Sequence, residues 1–224
     1  MKTGSGKTYD KNGNLTFEGK YLYNHRVSGI QYIKGIKEYE GEYLFDKKWN
    51  GKGYDENNNI IYELINGNGK VKEYNEYLAC LIFDGEYLNG EKIGKGKEYN
   101  YSGNFIFEGE YLNGKRWNGK VKEYYGNNII FVGEYLNGER NGWGTEYNTN
   151  GNIIYEGEFL EGKRNGKGKE YEHNNKIFEG EYLNGEKNGK GKEYDYYGNC
   201  IFEGEYLNAK KWNGKGKEYF INII

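Results

Sequence analysis

The amino-acid sequence predicts an all-β protein built from tandem β-hairpins, and three observations carry that prediction. A tyrosine- and glycine-rich stretch recurs along the chain, in full steps of 22 to 24 residues. Within each stretch, residues destined for two faces alternate with the period of two that a β-strand requires. An Asn-Gly pair then follows, the strongest short hairpin signal, because both residues tolerate the positive φ of a type I′ turn.

The copies align on one glycine. Phe107-Glu108-Gly109-Glu110-Tyr111-Leu112-Asn113-Gly114 returns as Phe131-Val132-Gly133-Glu134-Tyr135-Leu136-Asn137-Gly138, and again around Gly157, Gly180 and Gly204. Earlier copies centre on Gly19, Gly41 and Gly85. A second signature follows each stretch, as in Gly166-Lys167-Gly168-Lys169-Glu170-Tyr171, and a Gly-Asn loop leads into the next copy. The whole chain, residues 1–224, reads as one array of about nine copies, with a half-copy at 6–16 and a degenerate short copy at 60–74.

A turn at Asn137-Gly138 pairs Leu136 with Glu139, Tyr135 with Arg140, Gly133 with Gly142 and Phe131 with Gly144. Facing residues share a side of the sheet. One face therefore carries aromatic rings over glycines, and the other sets glutamates against lysines. Copies containing Trp49, Trp117 or Trp212 show one extra residue after the turn, to be absorbed as a bulge or a longer loop. In the short copy, a turn at Asn66-Gly67 sets Leu64 opposite Gly69 and Tyr62 opposite Val71. That gives a shorter hairpin, with the floor of the array continuous and its rim notched.

Composition restricts the function classes. The 224 residues include 26 Tyr, 37 Gly and no Pro, and aromatics make up 18% although mean hydropathy is −1.07. Disordered chains are poor in aromatics, so a folded protein with a thin core spread along the chain is expected. Lys and Arg number 32 against 34 Asp and Glu, a net charge of −2. Phosphate neutralisation needs a basic surplus, which argues against nucleic acid as the main partner. No apolar run is long enough for a bilayer helix, and the N-terminus lacks the apolar centre of a secretory signal. Cys80 and Cys200 lie many copies apart, which points to free thiols and a reducing cytoplasm.

Candidate chemistry is sparse. Gly4-Ser5-Gly6-Lys7-Thr8 resembles the end of a phosphate-binding loop but lacks the preceding glycine and strand, and it reads as the repeat's own Gly-Lys strand. His25 and His173 stand in different copies without a ligand cluster, so no metal site and no cofactor is expected. Paired carboxylates such as Glu108 and Glu110 recur in like settings, whereas acid–base catalysis needs unlike ones. No enzyme is expected. The row Tyr43, Tyr87, Tyr111, Tyr135, Phe159, Tyr182 and Tyr206, with Trp117 and Trp143, is the expected partner-binding surface. A single-layer sheet would leave one side of that row open. Lys115, Arg116, Arg140, Lys163 and Arg164 form a basic row at the turns, the candidate lipid-binding rim, interrupted by Glu91, Glu139, Glu161 and Glu186.

The Y/F-x-G-x-Y/F…N-G…G-x-G signature, from about Gly6 to Tyr219, resembles the MORN repeat family. The resemblance implies an elongated, twisted, single-layer antiparallel sheet of hairpins curved into an open trough. It also implies an interaction scaffold, with helical or extended peptides in the trough and links to phosphoinositide membranes in some members. The expected function is thus a non-catalytic protein-binding scaffold, cytoplasmic and associated with membrane or cytoskeleton. An anionic-lipid membrane tether and a homo-oligomer assembling through its terminal strands (Tyr219 to Ile224 begin another copy) are the alternatives.

Overall fold

The computed structural model describes residues 1–216, and these form only strands, turns and loops. The Tyr219–Ile224 strand expected to drive self-assembly lies outside the described residues. The strands make two open antiparallel sheets, of six and thirteen strands, and spatial neighbours in each are neighbours in sequence. The chain comprises two compact units, Met1–Trp117 and the residues from Asn118 onward, each described by itself. The first holds β1 (Gly4–Tyr9), β2 (Leu15–Leu22), β3 (His25–Ile33), β4 (Ile36–Leu44), β5 (Lys47–Tyr54), β6 (Ile60–Leu64), β7 (Gly69–Tyr74), β8 (Leu81–Leu88), β9 (Glu91–Tyr99) and β10 (Phe105–Leu112). The boundary falls within β11 (Lys115–Tyr125). The second continues with β12 (Asn128–Leu136), β13 (Glu139–Tyr147), β14 (Ile153–Leu160), β15 (Lys163–Glu172), β16 (Asn175–Leu183), β17 (Glu186–Tyr194), β18 (Cys200–Leu207) and β19 (Lys210–Gly216).

The hairpin turns after Leu88, Leu112, Leu136 and Leu183 are Asn-Gly, while Tyr23-Asn24, Phe45-Asp46, Glu161-Gly162 and Asn208-Ala209 take the same positive-φ turn with other residues. Asn137 and Gly138 both take positive φ, at 56° and 83°, the twist that lets two right-handed strands pair without splaying. Successive turns are also tied together. The Gly162 and Gly185 amides donate to the carbonyls of Arg140 and Arg164, one copy back, at 3.0 and 2.8 Å. Asn137 and Asn184 donate their amides to the side-chain oxygens of Asn118 and Asn165, at 2.9 and 3.3 Å.

Glycines form a row across the strands. Gly6, Gly19, Gly29, Gly41 and Gly51 pair in series in the first unit, and Gly144, Gly157, Gly168, Gly180, Gly191, Gly204 and Gly214 in the second. A β-carbon on Gly157 would lie 2.5 Å from the Tyr155 hydroxyl and 2.6 Å from Gly168 Cα. The rings fill that space. Phe17, Tyr39, Phe83 and Phe107 are fully buried in the first unit, and Phe131, Tyr155 and Phe178 in the second. They meet the next aromatic row edge to face, as Tyr155 and Phe159 do at 5.3 Å and 84°. Burying each such ring contributes about 1.5–3 kcal/mol.

The expected register holds near the turn and fails beyond it. Leu136 pairs with Glu139 and Tyr135 with Arg140, but Phe131 pairs with Glu146 rather than Gly144, and Gly133 comes to lie beside Gly144 rather than Gly142. Two residues are looped out of β13, with Gly142 at φ 68°. The same two-residue slip separates Phe159–Arg164 from Gly157–Gly168, with Gly166 at φ 68°. At Asn141-Gly142, Asn165-Gly166 and Asn188-Gly189 the second Asn-Gly is therefore a bulge built on a left-handed glycine. The tryptophan copies reverse the expected count. Tyr43–Lys48 and Gly41–Gly51 differ by only one residue, so these copies carry the smaller slip.

The short copy corrects a second expectation. Its turn is where the sequence places it, with Ile65 bridged to Asn68, but pairing stops there. Leu64 pairs with Gly51 of the six-stranded sheet and Val71 with Gly85 of the other. The floor is broken rather than continuous. Leu64 and Val71 occupy glycine-row positions, and Tyr62 lays its ring on Gly53. All three are buried; Val71 sits opposite Gly85 as Val121 does opposite Gly133 in a full copy, so Tyr62 and Leu64 supply the bulk peculiar to the short copy.

Candidate functional site

The two faces of each unit differ chemically, and neither matches the expected open aromatic trough. On the ring face, Tyr43, Tyr111, Phe159, Tyr182 and Tyr206 are buried to between 3% and 7% exposure. Tyr87 and Tyr135 are partly buried. A layer of cations lies over the rings. Arg140 covers Phe131 at 4.2 Å, Arg164 covers Tyr155 at 4.2 Å, and Lys187 covers Phe178 at 4.1 Å. In the first unit Lys92 covers Phe83 at 4.2 Å. The expectation of an uncovered row fails because the residue facing each first-strand tyrosine or phenylalanine is long and basic, and its aliphatic stem lies along the ring.

Glutamates lock these cations in place. Arg140 bonds Glu123 at 2.8 and 2.7 Å and Glu146 at 2.7 Å. Arg164 bonds the same Glu146 and then Glu170, and Lys187 reaches Glu170 at 2.9 Å. In the second unit this is a ladder of alternating charge, with Glu146 and Glu170 each shared by two cations. In the first, Arg116 holds Glu98 at 2.8 Å, and Tyr111 donates to the same carboxylate at 2.9 Å. Burial works to raise the Glu98 carboxyl, but the Arg116 hydrogen bond and charge outweigh it and hold the group below the usual carboxylate range. Burial pushes the Tyr111, Tyr155 and Tyr182 phenols far above theirs.

These glutamates were missed in the sequence because the assumed register put Gly144 opposite Phe131 and left Glu146 unplaced. The signal was present in the repeated Lys-Glu-Tyr, whose Glu lies two residues beyond the glycine-row residue (Glu170 after Gly168) and so on the ring face. The same register divides the basic residues named as a candidate lipid rim. Arg116, Arg140 and Arg164 serve the ladder, leaving Lys115 and Lys163 exposed at the turns.

The opposite face is open. Lys97–Glu108 at 2.8 Å and Lys192–Glu203 at 3.0 Å are half-exposed pairs of the expected kind. Grooves run over the bare backbone of the glycine row on this side. One in the first unit, about 450 Å³, is floored by Gly85, Gly96 and Gly109; one in the second, about 870 Å³, by Gly191, Gly204 and Gly214. Leu136, Leu160, Leu183 and Leu207 stand on this face, 44–52% exposed, as Leu22, Leu44, Leu88 and Leu112 do in the first unit. Trp143, expected beside the tyrosines, pairs with Glu158 here and is 57% exposed; Trp117 is partly buried.

His25 bonds Asp46 at 2.5 Å and His173 is exposed. Among the described residues, no three or more His, Cys, Asp or Glu side chains gather to hold a metal ion, and no helix is long and apolar enough to cross a membrane. No protein-family model and no curated protein matches the chain.

Proposed function

We propose that the chain is a non-catalytic scaffold of MORN-type repeats that binds a protein segment laid across its strands, on the leucine face rather than on the aromatic one. One observation carries the reading: the leucine before the hairpin turn is about half exposed in copy after copy. An apolar row beside polar grooves is the mark of an interaction surface. Its partner is an amphipathic helix. The leucines recur every second strand, about 9.6 Å apart at the usual strand spacing, and seven residues of helix rise about 10.5 Å.

The test is affinity capture with the intact chain, repeated with Leu136→Asp, Leu160→Asp and Leu183→Asp together. A variant that keeps its melting temperature and loses the wild-type partners supports the reading. Undiminished capture by the variant refutes the leucine face. Tyr111 and Phe159 changed to Ser would lose capture only through loss of folding, because their rings are core.

A further inference from the structure

The repeats act as internal controls for one another, and one rung of the charge ladder is missing its carboxylate. On β13, β15 and β17 the cation is followed six residues later by a glutamate: Arg140 by Glu146, Arg164 by Glu170 and Lys187 by Glu193. That glutamate lies between its own strand's cation and the next one, so Glu146 is gripped by both Arg140 and Arg164. At the start of the first unit the corresponding positions are Lys2, Thr8 and Arg26. Thr8 pairs with Phe17 as Glu146 pairs with Tyr155. The Lys2 carbonyl accepts the Asn24 amide at 2.9 Å, as the Arg140 carbonyl accepts that of Gly162 at 3.0 Å. The cations are retained and the acid between them is replaced by a short neutral side chain.

The surroundings are prepared as in a filled rung. Arg26 lies over Phe17 at 4.7 Å, and Lys2 lies 5.4 Å from the Tyr21 ring centre. Arg26 Nη1 donates to Gln31, itself neutral where other copies have a glutamate, at 2.9 Å. Among the described residues the one carboxylate at ion-pair distance from its guanidinium is Glu76, at 3.7 Å from the same nitrogen, while Asp46 accepts the Arg26 backbone amide at 2.7 Å. Nε and Nη2, the edge with which Arg140 clasps Glu123, make no hydrogen bond among the described residues. The Tyr21 hydroxyl, which would donate to a carboxylate as Tyr135 does to Glu123, reaches only Thr8 Oγ1 at 3.4 Å.

We infer that Lys2, Thr8, Tyr21 and Arg26 form a seat for a carboxylate supplied from outside the chain, an acidic side chain or the free C-terminus of a bound peptide. A planar carboxylate fits because the same fork of donors holds one in the other copies. The inference deepens the scaffold reading and rests on it only for the source of the carboxylate; short peptides test the seat without any partner protein.

Two fluorescent peptides serve as probes for the full chain at low salt: a pentaglutamate blocked at both ends, and a pentaalanine with a free C-terminus. Anisotropy is expected to show saturable binding of at least one. Pentaglutamate alone assigns the seat to side chains, pentaalanine alone to a C-terminus, and both together to either source. Thr8→Glu puts the chain's own acid between Lys2 and Arg26; it should raise the melting temperature and weaken binding at least tenfold. Thr8→Val, which adds no charge, should leave binding within about twofold. The inference is overturned if neither peptide binds, or if Thr8→Glu binds as well as the wild type. In either case the scaffold reading stands on its own capture experiment.

Discussion

Arg140 clasps Glu123 with two parallel hydrogen bonds, Nε to Oε1 at 2.8 Å and Nη2 to Oε2 at 2.7 Å, while its third nitrogen, Nη1, reaches Glu146. The pair lies on Phe131, roughly one-fifth exposed. The guanidinium thus covers a ring, joins two strands that are not neighbours and neutralises two acids. Its acidic partners raise its own proton affinity, chiefly through the Glu123 hydrogen bond.

Removing one member of this pair should cost more than an exposed ion pair would. Arg140→Ala strips cover from Phe131 and leaves two partly buried carboxylates short of a donor, a loss of about 2–3 kcal/mol. Glu123→Gln should cost less, because an amide oxygen still accepts. A double-mutant cycle in urea is expected to give a coupling of about 1–3 kcal/mol. A coupling near zero would mean that the ladder is solvated decoration.

Gly157→Ala tests the glycine row. The added carbon would meet the Tyr155 hydroxyl and the Gly168 backbone at contact distances that real β-carbons do not show. Strand or ring must move, costing about 2–3 kcal/mol or more. Gly151→Ala, at φ 82° in a loop with open space around it, carries only the backbone penalty of about 1 kcal/mol. Urea midpoints that fall by the same amount in both would refute a packing role for the row.

The hairpins were legible because their signals are local. Asn137-Gly138 specifies its turn, and the alternation around Gly133 specifies two faces. The register beyond the turn was not, because Asn-Gly is ambiguous: Asn137-Gly138 reverses the chain while Asn165-Gly166 makes a bulge, and only the pairing of Gly157 with Gly168 tells them apart. That slip hid Glu146 and Glu170, and with them the cover over the rings. The split at Leu64 and Val71 was also illegible, since it depends on what each strand meets on its outer side rather than on the turn between them.

Alkaline pH should unfold the protein in a cooperative step. The Tyr111, Tyr155 and Tyr182 phenols are raised above the ordinary value of 10.0, chiefly by burial. A raised folded-state value means that the stabilisation is whole below the unfolded value. It is lost as pH rises above about 10, where the unfolded chain ionises and the folded core does not. Phenolate absorbance should therefore show a later component rising together with the loss of far-ultraviolet β signal. If all tyrosines titrate in one gradual phase with the β signal intact, the rings are not core.

The seam at the short copy gives the last prediction. Between Leu64 and Gly69 the ladder ends, so β6 and β7 are each paired on one side only, with β5 and β8. Two hydrogen bonds hold the tip from outside, Gly67 to the Trp49 carbonyl at 2.8 Å and Gly90 to the Gly67 carbonyl at 2.9 Å. The turn is thus anchored while the strands below it part. Amides on a one-sided strand open more readily than those of a strand paired on both sides. Hydrogen exchange over residues 60–74 should accordingly be at least tenfold faster than over 91–112, an opening free energy lower by about 1.4 kcal/mol. Restoring two residues to each arm, with glycine at the position now held by Leu64, should close the ladder and bring the two rates together. Equal protection in the wild-type chain would show that the seam is closed in solution. A restored hairpin that still exchanged fast would show that bulk on the ring face is not what parts the strands.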